Sequence, residues 1–127
     1  MSRKRTQILR ALIILCLPGP AFADDALLRL FAGCAGRISA EMEHAWLMND
    51  DRAEVLEAQR LQFVSILQAI MPRDQARETL NMRIDAKMAH SAMLTTAVFG
   101  TDPKLARMAK RQAMVRVQDC QNLLLDG

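Results

Sequence analysis

The sequence predicts an all-α fold: an up-down-up-down four-helix bundle behind a cleaved N-terminal signal peptide. Three observations predict it. Apolar residues recur at helical spacing in four long segments. Proline and glycine are scarce after residue 23, with Pro only at 72 and 103 and Gly only at 33, 36, 100 and 127. The first 23 residues have the composition of an export signal. The 127 residues are 51% hydrophobic and 24% charged, which suits one domain and excludes disordered and low-complexity classes.

The signal comes first. Arg3, Lys4, Arg5 and Arg10 make a basic leader, and Ala11–Leu17 is an unbroken apolar run. Pro18, Gly19 and Pro20 end that run, and Ala21-Phe22-Ala23 supplies small residues at the −3 and −1 positions. Cleavage is expected after Ala23. The apolar run is far shorter than the roughly 20 residues needed to cross a bilayer, and no transmembrane span is expected in the mature chain, 24–127. Removing the leader takes away four of the 17 basic residues, leaving 13 against 14 acidic residues, a net charge of −1. The basic character therefore belongs to the leader. With no positive field and few aromatic residues, nucleic acid is not an expected partner.

The mature chain divides at its punctuation. Asp24-Asp25 opens the first helix, where acid complements the helix dipole, and Leu27, Phe31, Cys34, Ile38, Met42 and Ala45 form one apolar stripe. Asn49-Asp50-Asp51 is a turn and cap cluster. The second helix is expected to bury Leu56, Phe63, Val64, Leu67, Ile70 and Met71, and Pro72 ends it. The third carries Leu80, Ile84, Met88, Ser91, Thr95 and Val98 at spacings of 4, 4, 3, 4 and 3, and Gly100 suits its C-terminal cap. Thr101-Asp102-Pro103 starts the fourth, whose stripe is Ala106, Ala109, Ala113, Val117, Cys120 and Leu124. The expected spans are about 25–48, 51–71, 74–99 and 103–125. The short connections imply antiparallel packing of consecutive helices.

Two cysteines, Cys34 and Cys120, remain after export. An even count in an exported chain points to a disulfide, and the bundle topology brings an early helix-1 residue near a late helix-4 residue. The axial positions differ: at 1.5 Å per residue, Cys34 lies about 13 Å into its helix and Cys120 about 8 Å from the end of its own. Gly33, Ala35 and Gly36 around Cys34 would let helix 4 approach more closely than the usual helix spacing of about 8–10 Å. Two buried thiols or a pair of metal ligands are the alternatives. With no Cys-x-x-Cys motif, redox catalysis is not expected.

His44 and His90 are the only histidines. Glu41-x-x-His44 has the ligand spacing of di-iron bundles, but the second copy those sites need is absent, so Glu41 and His44 are expected to form a surface pair. Eight methionines remain in the mature chain. Met42, Met71 and Met88 fall on the apolar stripes, and Met48, Met82, Met93, Met108 and Met114 fall off them. Methionine fills irregular gaps in cores and also makes adaptable binding surfaces. The fourth helix adds Lys104, Arg107, Lys110 and Arg111 opposite its stripe. Residues 24–57 carry a net −5 and residues 58–127 a net +4, so these cations could pair with helix-rim acids or dock an acidic partner.

No nucleophile elbow, phosphate loop or paired histidine motif is present, and the chain is not expected to be an enzyme. The expectation is a periplasmic or secreted, non-catalytic interaction or accessory module. Its surface would include Met82, Met93, Met108, Met114, Lys104, Arg107, Lys110 and Arg111, and its partner would be an envelope protein or a second copy. No cofactor is expected. The alternative is a soft-metal protein holding Cu(I) through His44, Met48, His90 and Met93, because thioether and imidazole suit that ion.

Overall fold

The computed structural model of the chain describes residues 21–125. The expected signal segment, apart from its last three residues, lies outside them. Four helices follow in order: α1 Ala21–Leu47, α2 Ala53–Ile70, α3 Ala76–Phe99 and α4 Pro103–Leu125. A single 3-10 turn, Arg73–Gln75, precedes α3, and no strand occurs among the described residues. None of these helices is long and apolar enough to cross a membrane.

The punctuation acts as its chemistry requires. Asn49 turns the chain after α1 at φ 53°, a left-handed value that asparagine tolerates better than most residues. Asp50 then accepts the backbone N–H of Arg52 through Oδ1 at 2.9 Å. Met71 is extended before Pro72, as sterics with the proline ring demand. Asp102 caps α4, its Oδ1 accepting the N–H groups of Lys104 at 2.8 Å and Leu105 at 3.2 Å.

Residue pairs give the helix directions. Gln75 meets Asp25, Arg29 meets Glu78, and His90 meets Glu41, so α1 and α3 run parallel. Gln121 donates to Gln59 at 3.1 Å, which places α4 alongside α2. The largest interface joins α1 to α3, followed by α1 to α2 and α3 to α4. Consecutive α2 and α3, expected to pack, have no Cα atoms within 8 Å of each other. The Pro72 break and the 3-10 turn redirect the chain so that both helices lean on α1, leaving an open groove between them.

The main core gathers Leu28, Ala32, Cys34, Ala35, Ile38 and Met42 of α1 with Leu56, Phe63 and Leu67 of α2 and Val117 and Cys120 of α4. Phe63 is fully enclosed and packs on Phe31 with ring centres 5.9 Å apart. Its burial contributes about 1.5–3 kcal/mol. A smaller cluster joins Ala40, Leu94 and Ala113. The α4 stripe faces inward as expected at Ala109, Ala113, Val117 and Cys120. In α1, Leu27 is exposed and its neighbour Leu28 takes the buried place.

Helix α3 departs most from expectation. Leu80, Ile84 and Met88 are 48–64% exposed, and Val98 is exposed too. The buried face carries Thr79, His90 and Leu94, with Met82 packed at its edge. The reason is contact with the small-residue side of α1. Gly36 lies so close to α3 that a Cβ there would sit 2.3 Å from the Arg83 carbonyl oxygen. That glycine therefore admits α3, not α4 as its place beside Cys34 suggested. Gly33 meets only the Arg37 side chain, at 3.4 Å.

Candidate functional site

The cysteine pair closes as expected. Cys34 and Cys120 are joined, with Cα atoms 5.4 Å apart across 86 residues of chain, inside the window a disulfide requires. Both are buried. Arg37 covers the link, its Nη1 lying 3.9 Å from the Cys120 sulfur. Burial and the neighbouring Arg116 push the Arg37 guanidinium below its ordinary value, and Asp119 partly restores it.

The expected binding residues divide into three places. Lys104, Arg107, Met108 and Arg111 come together on the outer face of α4 around a shallow depression, and Met108 is exposed there. Their spacing of 3, 1 and 3 puts them on one side of the helix. Lys110 and Met114 lie instead on a different wall, beside Leu94, Val98 and Val117. Met82 and Met93 are half-buried and pack against the main core and the smaller cluster respectively. Met88, expected in the core, is among the most exposed side chains of α3. Met42 is buried and Met71 half-buried, as expected.

The histidines differ in burial. His90 is fully enclosed, with Nε2 2.8 Å from Glu41 Oε1. Its Nδ1 is buried without a partner, so the arrangement suits the tautomer that places the hydrogen on Nε2 and leaves Nδ1 a bare acceptor. Glu41 is buried and bonded across to α3, so the expected surface pair with His44 is corrected. His44 is half-buried one turn further along α1, and Met48 is exposed beyond the helix end. Among the described residues no group of three or more His, Cys, Asp or Glu side chains converges as a metal site would.

Glu41 and His44 instead line one cleft of about 360 Å³ with Arg52, Lys110 and the apolar side chains of α3 and α4. Arg52 is tied to Asp50, Nη2 to Oδ2 at 2.8 Å. Hydrogen bonds from the Arg52 side chain and backbone hold the Asp50 carboxyl below the usual carboxylate range. On the opposite side of α1, Trp46, Arg60, Leu80, Arg83, Ile84 and Lys87 line the groove left between α2 and α3. There Lys87 is paired with Glu43. Sequence reasoning missed the Glu41–His90 pair because its only signal is a parallel α1–α3 register.

Comparison with protein-family models, curated proteins and solved structures finds no match.

Proposed function

We propose that this chain is an exported, non-catalytic interaction module, periplasmic or secreted, which binds an acidic surface of an envelope protein through the outer face of α4. The observation that carries this reading is Met108 exposed among Lys104, Arg107 and Arg111. Pro103–Gln118 contains no acidic residue, and none of the three cations takes part in an ion pair among the described residues. An exposed thioether ringed by cations offers adaptable dispersion contact and charge steering together. The leader at residues 1–23 and the bridged cysteines support export, because disulfides persist in oxidising compartments. The alternating helix directions support the up-down-up-down arrangement, with α1 and α3 drawn together at Gly36.

The test is affinity capture of mature 24–127 from envelope extract, with and without Cu(I). The reading expects a discrete protein partner whose recovery is independent of Cu(I), survives Met108→Leu, and falls with Lys104→Glu/Arg107→Glu/Arg111→Glu. Leucine keeps volume and dispersion but cannot ligate a metal. Capture that needs Cu(I) and disappears in Met→Leu or His44→Gln variants would replace this reading with a soft-metal one.

A further inference from the structure

We propose that the cleft between the C-terminal half of α1 and the α3–α4 pair binds a small zwitterion with an aliphatic body, such as an apolar α-amino acid. The ammonium docks on Glu41 and the carboxylate on Lys110. This site is separate from the outer face of α4 and does not depend on the reading given above.

Glu41 is the first argument. Its side chain is only 8% exposed, and a carboxylate seldom lies so deep without being paired. Oε1 accepts from His90 Nε2. Oε2 has no hydrogen-bond partner and is not among the fully enclosed polar atoms, and the residue lines the cleft. One oxygen is therefore held by a fully buried imidazole while the other is left for a donor from the cleft. His90 acts as a positioning residue, fixing the carboxylate from behind.

The other walls define the rest of the ligand. Arg52 is already bonded to Asp50, whereas Lys110 has no carboxylate partner among the described residues. A bare cation would gain Glu41 but be repelled by Lys110 and Arg52, whereas a zwitterion satisfies Glu41 and Lys110 together. Leu94, Val98 and Met114 supply an apolar wall, and Val98 and Met114 are exposed. A volume of about 360 Å³ lies near the lower end of the range of small-molecule sites, about 300–1,000 Å³.

The test is calorimetric titration of purified mature protein with L-leucine, L-methionine, 3-methylbutylamine and 4-methylpentanoate. The last two are leucine without its carboxylate and without its ammonium. The expected order is amino acids tightest, the amine weaker by about tenfold as loss of one charge-assisted hydrogen bond implies, and the acid weakest, because it brings a second carboxylate toward Glu41 with no ammonium between them. Glu41→Gln keeps a carbonyl acceptor for His90 and should remain folded by circular dichroism. It should weaken the amino acids and the amine by about tenfold or more. Lys110→Gln should weaken only the amino acids. No binding of either amino acid to the wild type up to about 20 mM, far weaker than any specific site, would overturn the proposal. So would equal binding by folded Glu41→Gln.

Discussion

His90 of α3 and Glu41 of α1 stand 49 residues apart in sequence and 2.8 Å apart in space, and the imidazole is fully enclosed. Removing one partner strands the other. Glu41→Leu should cost about 3–5 kcal/mol in urea unfolding, while Glu41→Leu/His90→Leu should recover most of that loss, because apolar replacement of a whole buried pair is close to neutral. A double variant as unstable as the sum of the single ones would show that the pair is not an energetic unit.

The two glycines near Cys34 should respond to alanine with opposite signs. Gly33→Ala meets only a flexible arginine and should gain up to about 1 kcal/mol from helix propensity. Gly36→Ala drives a methyl group into the α3 backbone and should cost about 1–3 kcal/mol, as overpacking does. Thermal unfolding of both variants checks this. Equal stabilisation would mean that α1 and α3 are not closely packed at Gly36.

Much of this architecture is legible in the sequence, and the illegible part has a physical cause. Helix ends were readable because Asp50, Pro72 and Asp102 act locally, on atoms within three residues. The α4 stripe was readable because its outer face is strongly charged. Helix α3 carries apolar residues around most of its circumference, so spacing alone favoured the Leu80–Ile84–Met88 line over the Thr79–His90–Leu94 face that packs. Choosing between them required knowing that α1 offers α3 a surface of small residues around Gly36 with one buried carboxylate, Glu41. The separation of Met82 and Met93 from Met108 and Met114 follows from that same rotation and from the register of α4.

The bridge should be a major contributor to stability. Cys34→Ser should lower it by about 2–5 kcal/mol, through a longer and freer unfolded chain. Non-reducing peptide mapping of the purified protein should recover Cys34 linked to Cys120. Two freely alkylated thiols would contradict the bonded core.

Asp50 supplies one acid-dependent contribution. Its carboxyl is held below the ordinary range by Arg52, so its contribution is complete above the unfolded carboxylate value, about 3.9, and is lost as pH falls through the lower folded value. NMR titration of the Asp50 side chain should show a midpoint below that ordinary value, rising toward it in Arg52→Ala. A wild-type midpoint unchanged by that substitution would contradict the cap-and-pair geometry between α1 and α2.

The claim that this chain works by binding through α4 is tested most directly by photo-cross-linking in the intact envelope. A photoreactive residue replaces Met108, and a control replaces Gln68 on the exposed side of α2. The expected result is one discrete protein adduct from position 108, absent from position 68 and lost when Lys104, Arg107 and Arg111 are reversed to Glu. No adduct from position 108, or the same adducts from both positions, would contradict the α4 face as a binding surface.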